Sequence, residues 1–495
     1  MSQYDAVVIG GGHQALVSAV YLARAGWSVV VLERSDRLGG AVRSAELTRP
    51  GFVHDLFATN MNLFLGSPVY AELGAELERH GLRFAASPHP FANAYPEGRA
   101  LRVQQGLSET LAELDGHDPR DGAGWRELDT LYERLSPALF TLYGSRLETR
   151  SLIEWSAAQL PSLGVGGARE LARLLITSTR ELADTYLHSP EAHALLACWG
   201  MHLDFGPDVS GGAMFPFLEA FTDMRTGIAL AEGGASHLID ALAAIAVDHG
   251  AELRTGAEVT RVTVAGGRAS GVQLASGERI GARRAVIAGL TPPMLYGRLL
   301  EDAPLPERLR TAARRYRFGP GTLMVHLALS EPPTWAAGED LGQFAYVHIA
   351  PYVDDLARTY GQALAGLLPD EPMLVVGQSS AVDPSRAADG AVLWIQVRAL
   401  PAAIRGDAAG QIDARRGRGR ASPTPTACSP SSSATRPASP SSCSTARSSP
   451  RRTSSSTTPT SSAATRSPAR CTWRRTSCSG PSRRRATTRP GSRGC

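Results

Sequence analysis

Ala6 to Ile9 form an unbroken apolar run that stops at Gly10-Gly11-Gly12. Such a run predicts a strand buried on both faces, ending where the backbone turns tightly. The period then changes. Leu16, Ala19, Val20, Leu22 and Ala23 recur at helical spacing, Gly26 closes that helix, and Ser28 to Leu32 is a second strand ending on Glu33. From about Asn60 to Asp223 the pattern is mostly helical, with apolar residues three to four apart in Leu107–Leu114, Trp125–Phe140 and Ala168–Leu187. After Gly233-Gly234 an amphipathic helix is predicted over Leu238–Val247, ended by Gly250. Strands follow at Ala251–Arg254, Glu258–Val264 and Gly271–Leu274, with Gly266-Gly267 as a hairpin turn. Residues rich in β-branched and apolar types predict further strands at Thr322–Leu327, Met373–Gln378 and Val392–Val397.

The first unit carries chemistry. Gly10, Gly12 and Ala15 occupy the positions of a G-x-G-x-x-G/A turn: the first permits the turn, the second lets a pyrophosphate approach the backbone, and the small third keeps helix and strand close. The amides from Gly11 to His13 then lie at a helix start, where the dipole favours phosphate. Glu33, about 20 residues beyond the glycines, is placed to accept from a ribose diol, and its carboxylate disfavours a 2′-phosphate. A second glycine pair follows in Glu33-Arg34-Ser35-Asp36-Arg37-Leu38-Gly39-Gly40-Ala41-Val42-Arg43. A loop of that kind can wrap a dinucleotide from the other side, with Arg34 and Arg43 neutralising phosphate and Ala41 within the wrap. The two loops together favour FAD over NAD.

With VVIGGGHQALVSAVYLARAG, ERSDRLGGAVRSAELTRPGFVHDLFATNMNLFLGSP, YRFGPGTLMVHLAL and LWIQVRALPAAIRGDAAGQI, the chain resembles the phytoene-desaturase-like FAD-dependent oxidoreductases. These share a fold with the flavin amine oxidases, and the similarity extends to the pyridine nucleotide-disulfide oxidoreductase domain-containing protein 2 group. It covers Tyr4 to about Asp413. Where that family commonly has Asn-Gly this chain has Gln14-Ala15, and alanine is still small. The resemblance implies an α/β fold: a Rossmann-type FAD-binding domain from residues 1–60 and 226–300, and an inserted mixed α+β substrate domain from 61–225 and 301–413. It also implies that Val259 lies against the adenine, that Arg284–Gly289 is the next strand returning to the FAD, where Gly289 allows close approach, and that the later strands floor the substrate cavity. The activity implied is hydride removal from an apolar or amine-bearing small molecule, by a dehydrogenase, desaturase or oxidase, with oxygen, a quinone or another group as electron acceptor. A non-catalytic escort protein of related fold is the alternative. Relatives in eukaryotes are mitochondrial; a bacterial cytoplasmic location is expected here.

Other chemistries find little support. The His54-Asp55 and His202/Asp204 pairs, Arg398 and Arg405 are polar anchors without a nucleophile, base and orienter set, so no catalytic acid or base is assigned. Before residue 415 there is one cysteine, Cys198, hence no CxxC for disulfide chemistry, and no metal-ligand spacing occurs. No apolar run reaches membrane-spanning length and no signal peptide is expected ahead of Tyr4, although a peripheral membrane contact suits a greasy substrate.

Charge divides the chain in two. All 51 basic residues are arginine; 17 lie at or after Arg415, whereas all 47 acidic residues lie before it. The first part therefore carries a net −13 and the tail +17. The basic average does not signal a nucleic-acid partner. Residues 414–495, almost wholly Arg, Ser, Thr, Pro, Ala, Gly and Cys, cannot bury a core and are expected to be disordered. One reading of the tail is a natural basic linker or nucleic-acid-binding segment; the sharper expectation is that it is out of frame, since, read from the last base of each codon, Arg452–Arg466 is compatible with DLEQHNPNLVGGDS, which resembles the family's flavin-closing C-terminal segment. Sequencing the locus tests this: a DNA frame unable to encode that string removes it. The accompanying expectation is weak or absent FAD retention, which stoichiometric, tightly bound flavin in the purified 495-residue product would contradict.

Overall fold

The strand Ser2–Ile9 lies inside a six-stranded sheet, and its burial follows from the company it keeps on each face. Ala6 and Val8 pack on the helices His13–Arg24 and Ser236–Asp248, while Val7 and Ile9 meet Val259, Val272 and Ile280 on the other side. A strand covered on both faces requires the continuous apolar run seen in the sequence. Its neighbours are Val29–Leu32 and Arg279–Ala288, both parallel to it, and Glu252–Arg254 adds a further parallel strand beyond Val29–Leu32. Val259–Ala265 and Arg268–Leu274 extend the sheet as an antiparallel hairpin. Gly266 and Gly267 both have positive φ, as a two-residue hairpin loop of matching twist requires. Segments more than 200 residues apart in sequence thus share one sheet.

The structure, a computed structural model, describes residues 2–146, 148–350 and 352–411 and the short strand Arg447–Ser448. The chain divides into units Met1–Arg451 and Arg452–Cys495, and the second, with nearly all of the expected out-of-frame tail, lies outside the described residues.

A second sheet has seven strands in the order Arg447–Ser448, Gly321–Leu329, Ala391–Leu400, Leu374–Gly377, Tyr346–Ile349, Phe91–Ala94 and Ala100–Val103. Phe91, Met324, Tyr346, Val375 and Trp394 face a layer of helices, whereas Ala92, Val347, Val376 and Leu393 pack on Leu341 and Phe344. Period-two alternation therefore sorts the side chains between two cores.

Two features depart from the periodicity. The apolar run over Ala168–Leu187 is not one helix: Thr149–Leu174 ends, and Thr179–Tyr186 starts anew from a capping box between Ser178 and Glu181. The mostly helical stretch also contains Phe84–Ser87, Phe91–Ala94 and Ala100–Val103, four-residue strands whose pairing, not their composition, makes them strands.

Gly377 shows how tightly the second sheet is filled. A Cβ there would lie 2.0 Å from Cε2 of Trp394, whose buried indole donates to Ser379 Oγ. Gly377→Ala is expected to cost about 1–3 kcal/mol by overpacking; an unchanged urea midpoint would show that the indole moves aside freely.

Candidate cofactor and substrate site

The two glycine loops meet. Gly10, with φ of 98°, turns the chain out of its strand, and the Gly39 amide donates to Gly11 O at 2.8 Å. Gly40, with φ of 59°, comes so close that a Cβ on it would lie 3.2 Å from Gly12 Cα. On the far side the Gly289 amide donates to Ile9 O, and a Cβ on Gly289 would lie 3.0 Å from that of Ala15. Helix His13–Arg24 starts from Gly12 with no side-chain cap, leaving its first-turn amides for another acceptor. Glu33 accepts from the Gly11 amide at 2.7 Å and the Ser35 amide at 2.9 Å, so its carboxylate is set against the first loop. Burial holds His13, at the first helical position, below the ordinary imidazole range. Arg34, Gly40 and Ala41 are exposed, Arg43 half-buried, and Val259 buried at the start of its strand. Beside the second loop lies a cleft of about 410 Å³ whose walls include Arg37, Arg43, Ser44, His237 and Asp240.

A buried ionic network anchors this arrangement. Arg386 Nη1 donates to Asp55 Oδ2 at 2.6 Å, Nε to Asp383 Oδ2 at 3.0 Å, and Nη2 to Ala231 O at 2.7 Å. Asp55 Oδ1 also accepts from Ser44 Oγ and the Ala235 amide, and Asp383 Oδ2 from the Gly233 amide. Three distant segments converge: the hairpin after the second glycine loop, the Gly233-Gly234 return, and the turn at 383–386.

The second sheet offers its helix-facing side as an interior polar surface. His348 Nδ1 lies 3.1 Å from Asn93 Oδ1, and its Nε2 lies 2.9 Å from His202 Nε2. A consistent proton assignment has His348 donating to Asn93 and accepting from His202. Burial, with the nearby Arg398 charge, pushes His348 down to about 3, and burial, His348 and Arg398 push His202 well down too. His54 and His326 meet edge to face at 5.4 Å, and burial first, then His326 and Arg386, takes His54 down to about 4. These imidazoles are therefore neutral. Burial likewise raises the Cys198 thiol, which stays protonated. On helix Met214–Thr226, Glu219 and Asp223 lie one turn apart, each bonded to an asparagine, Asn60 and Asn62. Burial pushes Glu219 up to about 7 and Asp223 well above the carboxylate range.

Of the anticipated anchors, Asp55 enters the Arg386 network, and His54 meets Thr48 Oγ1 and His326. Arg398 ties down the carbonyls of Met201 and His202, whereas Arg405 is exposed. Asn93, His348, Glu219, Asp223, Asp383 and Arg386 carry no local motif; only the folded chain brings them to the interior. Among the described residues no group of three or more His, Cys, Asp or Glu side chains could hold a metal ion.

The family model for flavin containing amine oxidoreductases matches residues 16–408. The chain belongs to that family. It is accordingly an FAD-dependent oxidoreductase with a mixed α/β fold. Among curated relatives, pyridine nucleotide-disulfide oxidoreductase domain-containing protein 2 of Rattus norvegicus is 25% identical, over 78% of this chain and 72% of its own length. Hydroxyneurosporene desaturase of Cereibacter sphaeroides is 27% identical over 75% and 70%, and one component of the limonene dehydrogenase of Castellaniella defragrans 24% over 74% and 68%. Among solved structures, putrescine oxidase bound to putrescine superposes with a TM-score of 0.50 at 17% identity, covering 80% of this chain and 76% of that one, which speaks for the fold alone.

The neutral histidines make a pH prediction. Below its ordinary value of 6.5 an unfolded His348 takes up a proton that the folded chain refuses until about pH 3, so this contribution to stability is lost as pH falls. Between pH 7 and 5 the loss through this group is about 2 kcal/mol. His348→Gln is expected to lack it, giving a flatter acid limb in urea unfolding; parallel limbs for parent and variant would contradict this.

Proposed function

We propose that this flavoenzyme removes hydride from an apolar small molecule and passes the electrons to oxygen, a quinone or another acceptor. The observation that carries this reading is the meeting of two glycine loops beside an uncapped helix start, in a chain whose interior histidines are held neutral. In the proposed arrangement Gly10, Gly11, Gly12, His13 and Ala15 cradle the pyrophosphate, while Glu33 holds the ribose. Arg34, Gly39, Gly40, Ala41 and Arg43 close the second side, and Val259 and Gly289 approach the adenine side and the base of the first loop. The close backbone approach of Gly40, at positive φ and with a Cβ position only 3.2 Å from Gly12 Cα, supports this fit. Bound FAD supplies the two-electron redox chemistry.

The chain's own part is to orient the substrate and exclude water. The proposed division assigns cofactor binding to 1–60 and 226–300 and the substrate to 61–225 and 301–413. Phe91, Trp199, Tyr346 and Trp394 supply an apolar face to the buried interior between sheet and helices. Neutral His202 and His348, beside the Arg398 charge, offer a cation no counter-charge on that side. That favours an apolar substrate over a protonated amine. We assign no acid or base.

Anaerobic titration of the flavin-loaded protein tests the reading. Bleaching by terpenes or polyenes but not by amines is expected; bleaching by amines alone would overturn the substrate class, and tight flavin that no substrate bleaches would favour the escort alternative. Gly40→Val, which adds a branched side chain at positive φ against Gly12, is expected to weaken flavin binding by about tenfold or more. Undiminished flavin occupancy in that variant would remove the second loop from the site.

A further inference from the structure

Helix Thr149–Leu174 is 26 residues long and buries only Gly167, Leu171 and Leu174. All three follow a break at Gly164, where φ is 63°. Before the break, with Pro161 inside it, the helix buries no residue fully; Trp155 and Leu163 are half-buried against the core, and the Trp155 indole donates to Ala138 O. A helix stabilised by tertiary packing should bury an apolar stripe. Beside its narrow packed stripe this one leaves three large apolar residues outside: Ile153 is 63% exposed, Leu160 51% and Val165 84%. Phe140, Tyr143 and Ile176 nearby are exposed as well. Together these are six of the fifteen exposed large apolar side chains among the described residues, gathered within 37 positions.

Charge separates a lipid surface from a protein partner here. Residues 155–168 contain no charged side chain; the run is preceded by Arg150 and Glu154, which pair at 2.8 Å, and followed by Arg169, Glu170 and Arg173. From 141 to 177 four arginines stand against three glutamates, a net positive segment in a chain that is −13 before its tail. At the break, Leu160, Pro161, Ser162, Gly164, Val165 and Gly166 are all exposed, while Leu163 among them packs on the core. An uncharged apolar turn followed by the exposed Arg169 and Arg173 matches the layering of a bilayer interface: apolar groups at the acyl boundary, arginine at the phosphates. No helix among the described residues is long and apolar enough to cross a membrane, so contact would be from one side.

We propose that the Leu160–Val165 bend is a lipid-insertion tip that docks this chain on a bilayer surface. The proposal extends the apolar-substrate reading by giving the enzyme access to molecules dissolved in lipid, and it is tested by partition rather than turnover, so its failure leaves that reading standing. Full-length protein is sedimented with phosphatidylcholine vesicles at about 0.5 M salt, where attraction by the basic tail is screened to within a few ångströms. The parent is expected to sediment with the vesicles and a Leu160→Ser/Val165→Ser variant about tenfold less, while Leu364→Ser, at an exposed apolar position elsewhere, partitions like the parent. Val165→Asn alone, at the most exposed of these positions, is expected to show a smaller loss in the same direction. At low salt, adding phosphatidylglycerol is expected to strengthen binding. A parent that stays in the supernatant, or a double variant that sediments like the parent, overturns the proposal. So does a parent that is dimeric without lipid, becomes monomeric on the double substitution and ignores vesicles, since the tip would then pair with a second copy.

Discussion

The Arg386 guanidinium, wholly buried between Asp55 and Asp383, is the interaction on which the rest of the arrangement depends. Burying three charged groups is costly, and their mutual attraction offsets that only because Ser44, Ser385 and the amides of Gly233 and Ala235 satisfy the remaining carboxylate lone pairs. Hydrophobic replacement of such a network often costs nothing in stability, whereas loss of one member leaves a charge unpaired in low dielectric and costs about 3–5 kcal/mol. What the network contributes is geometry. Ser44 follows directly on the second glycine loop, so a network that holds Ser44 and Asp55 also holds the attachment of Gly39 to Arg43. That loop is joined through one guanidinium to a turn more than 300 residues away.

The same low dielectric shapes the interior between the second sheet and its helices. Histidines there lose their charge and carboxyls tend to keep their protons, because ionisation without water or a partner is unfavourable. Polar atoms satisfy one another through short chains such as Asn93, His348 and His202. The result is an interior whose hydrogen-bonding groups are mostly uncharged and whose buried cation, Arg398, is tied to the carbonyls of Met201 and His202.

Much of the first sheet was legible from period alone. Ala6–Ile9, the helix from His13, Val29–Leu32 and the Gly266-Gly267 hairpin all satisfy local rules, since a doubly covered strand must be continuously apolar and a two-residue hairpin needs positive φ. The glycine spacing also marked where the backbone comes bare. Less legible were Phe91–Ala94 and Tyr346–Ile349, four-residue strands too short to show alternation, which acquire their state by pairing with each other in parallel. The break at Leu175–Ser178 was hidden for a related reason: the apolar period continues across it, and only the capping box marks the new start.

By itself, then, the sequence determined the dinucleotide-type unit, the glycine loops and the division between an acidic first part and an arginine-rich tail, because each rests on neighbours in the chain. Tertiary structure alone decided that Arg386 reaches Asp55, that His202 meets His348, and that Glu219 and Asp223 are buried enough to favour their protonated forms. Charge state and partnership depend on which groups burial brings within a few ångströms, and that distance is set by the packing of sheets and helices rather than by spacing along the chain.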